Sequence, residues 1–200
     1  MSRYIFLFDL DSTVTRQEIL PTVAKKVGIY QEMCSLTEST MRGEIPFKQS
    51  FLERVDLLRD IPVSEVSKTI QEIELNELLV DFIQRNKERC YIVTGNLDVW
   101  IEGLVKRIGM ENNLFCSKAL VKNDYIQDVF SIVDKNAVIS QMVLPYVAVG
   151  DGNNDAEMIE AADVGIGYGG VRDIATSVLM CASHAIYQED KLVDFLERLL

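Results

Sequence analysis

Tyr4-Ile5-Phe6-Leu7-Phe8 is an uninterrupted apolar run that stops abruptly at Asp9-Leu10-Asp11-Ser12-Thr13. A run apolar at every position, rather than at every second one, suits a central strand of a parallel sheet covered on both faces. Open α/β sheets bind ligands beyond the carboxyl ends of such strands, so this one delivers two carboxylates and two hydroxyls to the place where chemistry is expected. Asp9 and Asp11 are two positions apart. Once the strand breaks, Leu10 can turn away while both carboxylates approach one small volume. Two anions held close repel, which favours protonation of one or capture of a cation. A capped turn would use the same residue types, and the fragment needs support from elsewhere in the chain.

Two further apolar runs supply it. Pro145-Tyr146-Val147-Ala148-Val149 ends in Gly150-Asp151-Gly152-Asn153-Asn154-Asp155, where glycines flank an acid and Asn154 or Asp155 suits the N-cap of a helix over 156–162. One acid from each of two neighbouring strand ends fits Mg²⁺, a small hard cation that takes carboxylate oxygens in octahedral geometry and keeps several waters. Arg89-Cys90-Tyr91-Ile92-Val93 is the third run, and Thr94-Gly95-Asn96 follows at its carboxyl end. A hydroxyl and free amides beside a glycine can hold phosphate oxygens, or form an ordinary strand-to-helix turn. Lys135 opens a helical stretch over 135–142 and can add a compact positive charge, although a lone lysine is usually a solvated surface group.

Taken in order, these pieces resemble the haloacid-dehalogenase-like phosphohydrolases, whose pattern is Asp-x-Asp, a strand-terminal Thr or Ser, a Lys, and Gly-Asp-Gly-x-x-Asp. Asp9 and Asp11, Thr94, Lys135, and Asp151 with Asp155 fill that pattern. Asp-x-Asp-Ser-Thr is nearer to the phosphoserine phosphatases within it, and Glu18, Met41, Phe47 and Arg54 stand where those enzymes carry substrate-facing residues. The resemblance implies a Mg²⁺-dependent phosphomonoester hydrolase. Asp9 would be the nucleophile, forming an aspartyl-phosphate, and Asp11 the acid and base. Mg²⁺ would be held by Asp9, the main-chain carbonyl of Asp11 and Asp151. Thr94, Gly95, Lys135 and Asn154 would surround the phosphate, and Asp155 would orient metal waters and Lys135. The phosphoserine phosphatases usually have Ser-Gly-Gly at the second motif; here Asn96 adds a side chain, which bears on the substrate more than on the reaction. The 114–134 segment is shorter than the family's and turns through Lys122-Asn123-Asp124 as a hairpin.

Strands and helices alternate except over 14–74, where 18–27, 31–42, 46–58 and 63–73 all carry apolar residues at helical spacing, broken by Gly28, Gly43 and Pro62. The pattern predicts a helical cap over 14–74 inserted into a Rossmann-like, three-layer α/β/α core with a parallel sheet, made of 1–13 and 75–200. Gly167 to Gly170 reads as a loop, not a nucleotide-binding motif, and His184, the single histidine, as structural. A net charge of −11 argues against nucleic acid, which wants a basic face. No apolar run reaches the roughly 18 residues of a membrane span, and Met1-Ser2-Arg3 leads into a strand rather than a signal peptide. Cys34, Cys90, Cys116 and Cys181 lack metal-ligand spacing and read as reduced, mostly buried thiols. The expectation is a cytoplasmic enzyme, monomer or homodimer, acting on a small phosphorylated metabolite, with neither membrane nor nucleic acid as partner. A phospho-accepting signalling receiver also combines Asp, Thr and Lys in a doubly wound sheet, but it lacks a helical insertion after the first strand. A phosphotransferase would use the same residues as a hydrolase.

Overall fold

Ile5–Phe8 forms β1, and its side chains alternate between two apolar layers. Phe6 and Phe8 face one cluster, with Phe82 edge-on to Phe6 at 5.3 Å, while Leu7 faces the other with Val93, Ala148 and Met158. Both faces of the strand are therefore dry, which is why every position of the run is apolar. Burial of each such side chain contributes about 1.5 to 3 kcal/mol. The structure, a computed structural model, describes residues 4–143 and 145–200. The leader expectation rests on Met1-Ser2-Arg3, which lie outside the described residues.

Cys90–Leu97 (β2) and Tyr146–Gly150 (β5) flank β1 in parallel. Leu114–Lys122 (β3) continues the sheet beyond β2, and Tyr125–Ser131 (β4) closes that edge antiparallel. Val164–Tyr168 (β6) and His184–Ile186 (β7) complete the other side, giving the order β4-β3-β2-β1-β5-β6-β7. Asn123 and Asp124 join β3 to β4 with φ of 53° and 69°, the two positive values of a type I′ hairpin turn. The expected hairpin thus forms, on longer strands than the sequence suggested.

Four helices lie between β1 and the next core helix: Ile19–Val27 (α1), Tyr30–Met41 (α2), Phe47–Leu57 (α3) and Val63–Gln71 (α4). Gly28 ends α1 in the left-handed conformation at φ 82°, which only glycine adopts without cost. The chain enters and leaves this region side by side. Arg16 donates its backbone N–H to the Glu74 carbonyl at 2.8 Å, and the Asn76 side chain donates to the Thr13 carbonyl at 2.7 Å. Glu77–Arg85 (α5), Asp98–Ile108 (α6), Lys135–Ile139 (α7), Ala156–Glu160 (α8), Thr176–Cys181 (α9) and Glu189–Glu197 (α10) complete the helices. Helices α5 and α6 bury their apolar side chains in the cluster of Phe6 and Phe8, and α8 and α9 in that of Leu7, so helices cover both faces of the sheet.

Some expectations need correction. Thr94-Gly95-Asn96 lies inside β2, not after it, and the pairing with β3 slips between Thr94 and Leu97. A bulge of this kind re-aims side chains at a site. Gly167 is a residue of β6, so the 167–170 stretch is part strand. The apolar pattern over 135–142 and 156–162 overstates α7 and α8, which end at Ile139 and Glu160. Cys90 and Cys116 are buried, but Cys34 and Cys181 are partly exposed; all four are free thiols. Among the described residues no helix is long and apolar enough to cross a membrane.

Candidate active site

The register of three strands builds the site. Phe8 pairs with Ile92 on one side and Val149 on the other, and the Asp9 N–H donates to the Val149 carbonyl at 2.9 Å. Asp9, Thr94 and Asp151 therefore emerge at one end of the sheet. Asp9 is 4% exposed. Lys135 Nζ lies 2.6 Å from Asp9 Oδ1 and also ion-pairs with Asp155 Oδ1. Asp134 caps α7 by accepting from the Asn136 N–H at 2.9 Å, which starts the helix at Lys135 and sends that side chain inward. Asp155 Oδ2 accepts from the Asp151 and Gly152 N–H groups at 3.1 and 2.8 Å, so both its oxygens are engaged. This requires glycine at 150, where a Cβ would stand 2.5 Å from Asp155 Cγ.

Burial, reinforced by Asp155, raises the Asp9 carboxyl to about 7 even though Lys135 opposes the shift. Asp151 is pushed well above the carboxylate range by burial first, then by Asp155 and Asp9. Burial pulls Lys135 downward, but Asp155 and Asp9 together outweigh it and hold the ammonium charged. Carboxylate oxygens of Asp9, Asp151 and Asp155 lie within 4.8 Å of one another. That leaves more buried negative charge than one lysine balances. Asp11 accepts from the Ile19 N–H at 2.9 Å at the start of α1. Its pKa is raised by burial, against the pull of that bond, Arg54, Arg172 and Asn96.

A cleft opens over these groups. Asp9, Asp11, Thr94, Gly95, Asp151, Asn154 and Asp155 line it from the sheet ends, and Glu18, Met41, Phe47 and Arg54 from the helical region. Lys135 alone of the expected residues lies behind Asp9, outside the lining. Phe47 packs so closely over Gly95 that a Cβ there would collide with its ring. Phe51 stacks beneath Phe47 with centroids 5.7 Å apart, and the Arg54 guanidinium sits 5.9 Å from the Phe47 centroid. Arg54 is buried, and its one hydrogen bond among the described residues runs from Nε to the Ser50 carbonyl at 3.3 Å.

Sequence reasoning missed two members of the site. Arg172 pairs with Glu18, and its Nε lies 3.3 Å from Asp151 Oδ2, so Glu18 is not a free charge. The available signal was its place after β6, beyond the carboxyl end of another parallel strand. Asn153 donates from Nδ2 to the Thr40 and Met41 carbonyls at 2.7 and 2.6 Å, tying the Asp151 loop to the end of α2. Nothing local marks that contact. Asn96, which the sequence tied to the choice of substrate, is buried and lines the cavity.

Comparison with known proteins agrees with this arrangement. A family model described as haloacid dehalogenase-like hydrolase matches residues 6–160. The chain is 31% identical over 178 residues to a phosphoserine phosphatase of Methanocaldococcus jannaschii, covering 82% of this chain and 84% of that protein. It is 32% identical over 178 residues to a phosphoserine phosphatase of Archaeoglobus fulgidus, again 82% of this chain but about half (52%) of that longer protein. A solved phospho-aspartyl intermediate analogue of phosphoserine phosphatase superposes with a TM-score of 0.80 at 26% identity, covering 98% of this chain and 99% of the other. With acids at the ends of β1 and β5 and a hydroxyl on β2 lining one cavity, a buried lysine behind Asp9, and a family match over most of its length, the chain belongs to the haloacid dehalogenase-like hydrolases.

Proposed function

We propose that the protein is a phosphoserine phosphatase, hydrolysing O-phospho-L-serine through an aspartyl-phosphate on Asp9, with residues 14–74 acting as a cap over the site. The observation that carries this reading is Arg54, a buried guanidinium without an ion-pair partner among the described residues, lining the same cavity as Asp9 and Asp11. A buried, unpaired cation is costly, and a ligand carboxylate relieves that cost through the paired hydrogen bonds of a planar fork. Glu18 would meet the substrate ammonium, exchanging its present partner Arg172 for it.

Asp9 attacks phosphorus in line, and the bond from phosphorus to the ester oxygen breaks. Asp11, whose pKa burial raises, gives its proton to the leaving alkoxide. The same carboxylate then takes a proton from the water that attacks the aspartyl-phosphate, releasing phosphate and restoring Asp9. The Thr94 hydroxyl, the Gly95 amide, Lys135 and Asn154 hold the phosphoryl oxygens as charge builds. Lys135 also fixes the Asp9 carboxylate through Oδ1. The converging buried carboxylates suit a hard divalent cation, and we assign Asp9, the main-chain carbonyl of Asp11 and Asp151 to Mg²⁺. When bound it would neutralise charge on nucleophile and phosphate.

Phosphate release from a panel of small phosphomonoesters, with and without Mg²⁺, tests the reading. Arg54→Ala should cost about 2 to 4 kcal/mol in kcat/KM for L-phosphoserine and barely change p-nitrophenyl phosphate, which has no carboxylate. Turnover of other phosphomonoesters but not L-phosphoserine would overturn the substrate assignment; no turnover of any would overturn the phosphatase.

A further inference from the structure

Asn96 sits 95% buried in the cavity wall between the Thr94 hydroxyl and the space above Asp11, with half of its amide unused. Its backbone N–H and its Nδ2 both donate to Thr94 Oγ1, each at 3.2 Å. A hydroxyl that already accepts two hydrogen bonds has its own proton left to give, and the Thr94 proton is then aimed at an acceptor outside this pair. The other end of the amide has no such use: Asn96 Oδ1 is buried without a partner among the described residues. An acceptor buried without a donor costs about 1 to 3 kcal/mol, so its retention at a site calls for a donor that arrives with the ligand. Thr37 Oγ1, which lines the same cavity, is likewise unpartnered. The cavity thus has hydrogen-bonding capacity beyond what phosphate and a carboxylate would use.

We propose that Asn96 is a positioning and specificity residue: Nδ2 locks the Thr94 hydroxyl as a donor to the phosphoryl group, and Oδ1 accepts a hydrogen bond from an ammonium or hydroxyl on the leaving group. The inference rests on the phosphatase reading and deepens it. It assigns the substrate to small phosphomonoesters whose leaving group bears a hydrogen-bond donor, and it gives the second motif a function that glycine at that position could not perform. A leaving group without a donor would strand Oδ1, which is discrimination by an unmet polar group and not by size.

The test uses two matched pairs, O-phospho-L-serine with its deamino analogue 3-phosphooxypropionate, and O-phosphoethanolamine with ethyl phosphate, alongside p-nitrophenyl phosphate. The wild type should favour the donor-bearing member of a pair, and Asn96→Gly should shrink that preference on the order of ten-fold or more, the scale of one hydrogen bond to a charged donor. Asn96→Asp keeps an acceptor and loses the amide donor. It should preserve the preference while lowering kcat on every substrate, p-nitrophenyl phosphate included, because Thr94 loses part of its clamp. Circular dichroism and melting confirm that both variants are folded. A wild type that hydrolyses both pairs without preference, or an Asn96→Gly variant that keeps it, overturns this inference alone. A wild type inactive on every ester overturns the phosphatase reading and the inference with it.

Discussion

Lys135→Met isolates the electrostatics of the site, because methionine keeps most of the apolar stem and removes only the ammonium. Lys135 is 6% exposed and is paired with Asp9 at 2.6 Å and with Asp155. Replacing both sides of a buried ion pair with apolar groups can be neutral, but removing one side leaves the other uncompensated and costs about 3 to 5 kcal/mol. Here two carboxylates are stranded, so the expected loss lies in that range at pH 8. For a chain of this size each kcal/mol moves Tm by about 2 to 4 °C, which predicts a fall of roughly 6 to 20 °C. The loss is pH-dependent with a definite sign. Asp9 already titrates near 7 in the fold, above its ordinary 3.8. A raised folded pKa contributes stability that is present at low pH and is lost as pH rises through the folded value. Without Lys135, which opposes the shift, the Asp9 pKa rises further, so the variant's deficit should be small near pH 5 and grow through 7 to 8. Thermal melts of both proteins in chelator across pH 5 to 8 measure this directly. A Tm within about 2 °C of wild type at pH 8, or a deficit that does not change with pH, would refute the reasoning.

Asp9→Asn should abolish turnover by several orders of magnitude with an intact fold, since the amide is nearly isosteric and cannot attack; more than about a tenth of wild-type activity rejects the nucleophile. Chelator should remove activity and Mg²⁺ restore it, with Ca²⁺ a poor substitute because its larger, more flexible shell misplaces the reacting groups; full activity in metal-free buffer refutes the metal assignment. Asn153→Ala removes two donors to the end of α2 and should lower stability by about 1 to 3 kcal/mol in urea while raising KM; an unchanged midpoint and KM would mean the tie is idle.

The sequence alone determined the order of the chemistry and the strands that carry it. Asp9 and Asp11, Thr94 with Gly95, and Asp151 with Asp155 are legible because each follows an apolar run whose alternation between two dry faces leaves no room for a polar residue within it, even where, as at Thr94, the strand itself continues. The helices over 14–74 are legible for a similar local reason: apolar residues at helical spacing, with breaks at glycine and proline. Tertiary structure decided what each charge does. The sequence places Lys135 at the phosphate only through a resemblance, and the fold is what buries it between Asp9 and Asp155; Glu18, expected to face substrate, is met by Arg172, which a loop beyond β6 brings to it. Asn153 looks like an ordinary loop residue, yet it ties the acidic loop to α2, and Asn96, which the sequence marks only as bearing on the substrate, holds the Thr94 hydroxyl with a spare acceptor facing the cavity. Periodicity and turn chemistry are properties of neighbours in the chain. Burial, ion pairing and unmet hydrogen bonds depend on which distant segments arrive together, and that is set only when the sheet closes and the helices dock over its end.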